Sequence, residues 1–165
     1  ALDREVDELH RRGVRLRFIG ERGAFSADIR ARMARGETLT RANTRLHLTI
    51  AADYSGRWDL AQAARTLARR ALEGRLSPEA IGEAELGSAL ALSDLPDPDL
   101  FIRTGGDQRI SNFLLWQLAY CELYFTDTLW PDFDAAQLRL ALDAFASRER
   151  RFGRTSDQLA SESAS

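Results

Sequence analysis

The sequence contains no lysine. Its basic side chains are all arginine, 23 of them, apart from two histidines, and there is one cysteine, one methionine and four prolines in 165 residues. So uniform a bias is compositional, and no single arginine can be read as functional from its identity alone. The lone cysteine, Cys121, cannot form an internal disulfide, which fits a reducing compartment. Its place in AYCELYF reads as a small buried hydrophobe rather than a reactive thiol. No apolar run reaches the roughly 18 residues that span a bilayer, and no signal-peptide pattern occurs, so a soluble, cytoplasmic chain is expected. The formal net charge of -2 carries no global basic signal for nucleic acid. HExxH, GxSxG and the GxxxxGK[ST] nucleotide loop are absent, and His10 and His47 lack ligand spacing and read as structural.

What is present is an ordinary globular composition, 44% hydrophobic and 29% charged. A domain of this length buries roughly 70% of its unfolded surface. Leu2, Val6 and Leu9 mark one face of a helix stopped by Gly13; VRLRFIG alternates Val14, Leu16 and Phe18 inward with arginines outward, as a strand does. Phe25, Ile29 and Met33 predict a second helix, and LHLTIAA (46–52) a second strand. A long helix is expected from Asp59, with Leu60, Ala64, Leu67 and Ala71 on its face, and Ser77-Pro78 reads as the cap and first turn of a shorter one. After the two-proline loop LSDLPDPDL come the strand DLFIRT, an apolar stretch over 112–120 that reads as a helix buried on all sides, and the strand ELYFTD. Asp134 and Gln137 resemble a capping box for a helix with Leu138, Ala141, Leu142 and Phe145 on one face. Alternating strands and helices predict an α/β fold with a mostly parallel central sheet surrounded by helices, a single domain over 1–153, and a polar flexible tail over 154–165.

IRTGGDQRIS (102–111) lies where the strand DLFIRT ends, the end at which open α/β sheets bind ligands. Two glycines let backbone approach an anion, Ser111 and the first amides of the expected helix offer donors, and Arg103 and Arg109 are permanently charged forks matched to phosphate oxygens. The plainer alternative is a tight turn with Arg103 and Arg109 paired to Asp107 and another surface acid. Glu122, between Cys121 and Leu123, is either a metal-ligating carboxylate or a solvated, salt-bridged one.

The string RTGGDQRISNFLLWQLAYCELYFTDTLWPDF closely resembles the C-terminal signature region of the cis-prenyltransferases, undecaprenyl diphosphate synthases in particular. The likeness runs from ALDREVDELHRRGVRLRFIGE through IAADYSGRWDL to RERRFG. It implies a six-stranded, mostly parallel sheet, a homodimer, and Mg²⁺-dependent condensation of isopentenyl diphosphate with an allylic diphosphate, such as farnesyl diphosphate, to a long-chain cis-polyprenyl diphosphate used as a cell-wall lipid carrier. It further implies that Arg103, Arg109, Ile110 and Ser111 hold isopentenyl diphosphate, that Glu122 is the Mg²⁺-associated glutamate, and that Arg151 and Gly153 of Arg-Phe-Gly reach across the dimer. Peripheral membrane contact would come through the lipid product; nucleic acid is not an implied partner. Asp53, Ser55, Asp107 and Gln108 stand where the family usually has Asn, Gly, Glu and often His. The family's opening strand and MDGNGRWA loop, with its central catalytic aspartate, have no counterpart in this sequence, so that acid is expected upstream of Ala1. The runner-up is a non-catalytic, diphosphate-binding partner subunit of a prenyltransferase complex.

Overall fold

The computed structural model describes residues 2–148. Arg151, Gly153 and the polar tail lie outside them. The chain divides into two compact units, Ala1–Asp94 and Leu95–Ser165, each with its own parallel strand pair.

In the first unit, α1 (Leu2–Arg11) ends in Arg11, a cation suited to a helix C-terminus, and Gly13 at φ 74 turns the chain into β1 (Val14–Ile19). Ser26 caps α2 (Ala27–Thr40), its hydroxyl accepting from the Ile29 amide. β2 (Leu46–Ala51) then returns parallel to β1, with Val14 opposite Leu46 and Ile19 opposite Ala51. The predicted alternation of β1 is observed: Val14, Leu16 and Phe18 are buried and Arg15 is exposed. Val6, Leu16, Phe18 and Met33 form the core, with Leu9, Phe25, Leu48 and Ala52 against it. Full burial of such side chains contributes roughly 1.5–3 kcal/mol each. Ile29, Leu46 and Ile50 are exposed, so only the middle of β2 faces this core.

Helix α2 and the residues flanking it also finish the free edge of β1. Asn43 Nδ2 donates to the Val14 carbonyl at 2.7 Å. The Leu16 amide donates to Thr40 Oγ1 at 2.9 Å, and that hydroxyl donates on to the Gly36 carbonyl at 2.8 Å. The Phe18 amide donates to Glu37 Oε1 at 2.8 Å, while Arg22 Nη2 donates both to that oxygen and to the Phe18 carbonyl. An open strand edge is a template for unwanted pairing, and here polar side chains occupy the backbone groups that pairing would use.

Gly20 ends β1 at φ 116, where an added Cβ would lie 2.1 Å from the Ala52 carbonyl oxygen. Glu21 N then donates to the Asp53 carbonyl at 3.0 Å. Helix α3 (Gly56–Leu72) starts three residues before the predicted Asp59, because Ser55 caps it by accepting from the Trp58 amide. Its buried stripe is Gly56, Asp59, Ala63 and Leu67, so Ala63 takes the place expected of Ala64. Ser77 makes no cap hydrogen bond. Pro78–Ala80 is one 3-10 turn, and the short α4 (Glu83–Ser88) starts at Gly82, whose amide donates to the Glu85 carboxylate.

In the second unit β3 (Leu100–Arg103) pairs in parallel with β4 (Glu122–Phe125), Leu100 opposite Glu122 and Arg103 opposite Phe125. The parallel α/β expectation holds, with the four strands in two pairs among the described residues. The all-round buried helix over 112–120 does not form. Ser111 (φ 54) and Leu114 (φ 43) are left-handed, a conformation that interrupts an α-helical ladder. The stretch is a series of turns in which Leu114, Gln117 and Leu118 are buried while Phe113 and Tyr120 are exposed. A run that is apolar at nearly every position has no readable period. α5 (Ala135–Ala146) is capped by Asp134, which accepts from the Ala136 and Gln137 amides. The Gln137 side chain does not close a capping box; its Oε1 accepts from Thr128 Oγ1 at 3.2 Å. Of the predicted helix face only Ala141 is fully buried; Leu138 and Leu142 are exposed.

Candidate functional site

Parallel pairing of β3 and β4 brings the loop after Arg103 beside Thr126–Thr128. The Gly105 amide donates to the Thr128 carbonyl at 2.9 Å and the Gly106 amide to the Thr126 carbonyl at 3.0 Å. The glycines at φ 87 and 82 therefore supply left-handed geometry, and their amides are spent inside the protein. This corrects the expectation that backbone here offers donors to an anion. The expected helix amides are missing too, since no helix follows.

The side chains do converge. Arg103 Nη2 donates to Asp107 Oδ2 at 2.6 Å, and Arg109 Nη2 donates to the same oxygen at 2.7 Å. Arg103 Nη1 donates to Ser111 Oγ at 2.7 Å and to the Arg109 carbonyl. The two guanidinium groups differ in exposure: 22% for the Arg103 side chain and 66% for Arg109, with Asp107 at 42%. Arg103 is thus a fixed strut with acceptors at three points of the loop, whereas Arg109 reaches into solvent held by one carboxylate oxygen. Ser111 Oγ accepts from Arg103 and keeps its own hydroxyl proton to give. Ile110 beside it is half-buried. Pairing to Asp107 is what a plain turn would show. What goes beyond a plain turn is the shared oxygen, which sets two permanent cations around one acceptor with a hydroxyl alongside.

Glu122 is not brought to this cluster within one chain. It opens β4 opposite Leu100, three residues from the Arg103–Phe125 pair, or about 10 Å at strand rise. Its Oε2 accepts from Arg148 Nη1 at 2.8 Å, and the same nitrogen donates to the Leu123 carbonyl. The salt-bridged alternative for Glu122 therefore describes its surroundings here. Among the described residues no group of three His, Cys, Asp or Glu side chains could hold a metal ion. Cys121 is a half-buried thiol outside any disulfide, its Sγ donating to the Glu122 carbonyl at 3.5 Å. No helix of the described residues is long and apolar enough to cross a membrane.

Two features had weaker sequence signals. Asp59 is 3% exposed at the start of α3, accepting from the Tyr54 hydroxyl at 2.9 Å and the Ala91 amide at 3.0 Å. Burial, then the hydrogen bond and charge of Asp59, push the Tyr54 hydroxyl pKa well above its ordinary value, so Tyr54 is a fixed donor. Asp53 sits at φ 49, a left-handed conformation that Asp and Asn tolerate better than most residues. Ser55 supplies the α3 cap.

The described residues thus form parallel α/β units, with a loop at the carboxyl end of β3 that carries two arginines on one carboxylate. The chain belongs to the family described as "Putative undecaprenyl diphosphate synthase", whose profile matches residues 1–153. It is similar to the ditrans,polycis-undecaprenyl-diphosphate synthase ((2E,6E)-farnesyl-diphosphate specific) of Xanthomonas axonopodis pv. citri (strain 306), 66% identical over 160 residues, covering 97% of this chain and 62% of the relative. The enzyme of the same name from Escherichia coli (strain K12) is 54% identical over 155 residues, covering 94% of this chain and 61% of the relative. The chain thus spans just over three fifths of the length of these curated relatives. Among solved structures, lavandulyl diphosphate synthase from Lavandula x intermedia, in complex with dimethylallyl diphosphate, matches with a TM-score of 0.88 at 38% identity, covering 93% of this chain and 66% of that one. A probable undecaprenyl diphosphate synthase from Campylobacter jejuni matches with a TM-score of 0.79 at 33% identity, covering 93% and 69%. These matches place residues 1–153 in the family and do not carry the expectation of a missing aspartate loop.

Proposed function

We propose that this protein is a cis-prenyltransferase that condenses isopentenyl diphosphate with an allylic diphosphate, farnesyl diphosphate by analogy with the relatives, into a long-chain polyprenyl diphosphate of the undecaprenyl type. The observation that carries the reading is the loop after β3 in which Arg103 and Arg109 share one Asp107 oxygen and Ser111 Oγ lies against Arg103, in a chain 66% identical to a farnesyl-specific synthase. In this reading the C–O bond of the allylic diphosphate breaks, the departing diphosphate takes the bonding pair, and an allylic cation forms. The isopentenyl double bond attacks it, a C–C bond forms, and a proton is lost. Arg109 and Ser111 grip the isopentenyl diphosphate, and Arg103, bonded at several points, sets their spacing. Positioning of this kind accelerates a two-substrate step by making it effectively unimolecular.

Mg²⁺ belongs to the proposal through the family resemblance, where it would neutralise diphosphate charge. The described residues do not fit a complete site for it: Glu122 is a lone carboxylate with Arg148 on one oxygen. No step is therefore routed through the ion. A role for Glu122 predicts that Glu122→Gln lowers activity and raises the metal requirement, while unchanged metal dependence returns it to a salt-bridge partner. A homodimer in which Arg151 and Gly153 serve the neighbouring subunit is likewise proposed. Mixed dimers of Arg151→Ala and Arg109→Ala subunits should regain activity, and heterodimers that regain none would dismiss the sharing. Nothing observed favours the non-catalytic partner reading.

The direct test is incorporation of labelled isopentenyl diphosphate by the intact protein with farnesyl diphosphate as acceptor. Long-chain product with new cis double bonds is expected. Absence of chain extension under conditions that activate the Escherichia coli relative would overturn the proposed function.

A further inference from the structure

The two arginines face the same acid in unequal circumstances. Arg103 is mostly buried and keeps two acceptors, Ser111 Oγ and the Arg109 carbonyl, that do not involve Asp107. The Arg109 side chain is two-thirds exposed, and Asp107 Oδ2 is its one hydrogen-bond acceptor among the described residues. An exposed ion pair of this kind is weak and is readily exchanged for a ligand that offers more oxygens in the same fork geometry. A carboxylate oxygen between two guanidinium groups has the charge and the acceptor character of a phosphate oxygen.

We propose that Asp107 is an internal counter-anion for the isopentenyl diphosphate site: it parks Arg109 while the site is empty, and a phosphate oxygen takes its place on Arg109 when substrate binds. Arg103 remains on the loop throughout, because Ser111 and the Arg109 carbonyl hold it independently. The inference rests on the proposed function and deepens it. It assigns Asp107 a positioning role with a sign opposite to that of a substrate-gripping residue, since the acid competes with the ligand for one cation.

Three consequences follow for the intact protein. Asp107→Asn retains size and an acceptor for Arg103 but removes the charge that competes for Arg109. It should tighten isopentenyl diphosphate binding, measured calorimetrically without allylic substrate, by about two- to fivefold, the scale of one exposed ion pair. Asp107→Glu restores the charge one methylene further out and should return the affinity to within about twofold of wild type. With Arg109 free of its internal partner, binding to Asp107→Asn should also become more salt-dependent, as expected when a screened internal pair no longer offsets the ligand contact.

The same titrations include Arg109→Ala. If Arg109→Ala binds as tightly as wild type, the loop is not the diphosphate site and the proposed function fails at its root. If Arg109→Ala weakens binding while Asp107→Asn leaves it unchanged or weaker, the site stands and the counter-anion role is overturned, Asp107 being a structural brace. Melting temperatures within about 2 °C across the set confirm that the loop still folds. A Asp107→Asn protein that melts lower but binds tighter still supports competition, because loss of a brace alone would weaken binding.

Discussion

The two parallel strand pairs spend their charged side chains in opposite ways. Around β1, Arg22 and Glu37 are tied to each other and to the Phe18 amide and carbonyl. After β3, Arg103, Asp107 and Arg109 are tied largely to one another, with Arg109 and Asp107 at the solvent. A charge bonded to backbone at a strand edge cannot leave without orphaning a peptide group, whereas a charge neutralised by another exposed side chain can change partners at little cost. The first arrangement makes structure and the second carries the proposed site, although both are built from arginine and a carboxylate.

The comparison can be broken at its glycines. Gly20→Ala places a Cβ on the Ala52 carbonyl oxygen in a left-handed backbone, and a loss of about 3 kcal/mol or more is expected, a fall of many degrees in Tm or failure to fold. Gly105→Ala meets nothing within 4 Å, so only the backbone conformation costs, about 1–2 kcal/mol. Thermal melts of the two variants side by side check the ranking; equal losses would remove the distinction between a stitched strand end and an open loop. Next in size is Arg109→Ala, for which isopentenyl diphosphate Kd should rise on the order of 10- to 100-fold with Tm almost unchanged, since a charge-assisted hydrogen bond contributes about 1.5–3 kcal/mol.

Thr40→Val is the mirror of that experiment. It is nearly isosteric but leaves the buried Leu16 amide without its acceptor, so a stability loss of about 1–3 kcal/mol is expected in a denaturant titration, with substrate affinity unaltered. The smallest effect belongs to Asp94, which accepts from Arg17 at 2.7 and 2.9 Å while 63% exposed. The Arg17 hydrogen bond holds its carboxyl below the ordinary carboxylate value. Its contribution is therefore fully present above about pH 4 and lost as pH falls through the depressed folded value. Asp94→Asn should cost no more than about 1 kcal/mol at pH 7, and its difference from wild type should vanish in melts at the acid end of that window.

How much of this was legible in the sequence divides along the same line. β1, β2, α1 and α2 follow from periodicity and punctuation, and the strands DLFIRT and ELYFTD from being short apolar runs bounded by turn residues. The stretch 112–120 was not legible: with nearly every position apolar, nothing marks the left-handed Ser111 and Leu114 that break it. The start of α3 was not legible because the apolar period begins only at Leu60, well after the Ser55 cap. At the site, Arg103, Arg109 and Ser111 were readable as a cluster from their spacing around Gly-Gly. The sequestered glycine amides were not, since their acceptors, the Thr126 and Thr128 carbonyls, lie beyond β4 and any residue type would provide them. Glu122 illustrates the same boundary: its sequence context placed it at the start of a strand, but only the register with Leu100 shows which end of the sheet that is.

The side-chain cover on β1 also bears on the order in which the chain can acquire structure. Every group that closes the edge comes from residues 22–43, between 4 and 29 positions from the backbone it satisfies. These are short loops to close, so β1 and α2 can complete their polar contacts as a local unit before any distant strand is found. Once they have done so, recruitment has a direction. A strand approaching from the β1 side meets hydrogen-bonding groups already taken, while the outer edge of β2 has no such cover among the described residues. The helix thus works as a stop signal for sheet growth, delivered early and from nearby in the chain, which turns a symmetric ribbon into one that lengthens from a single side.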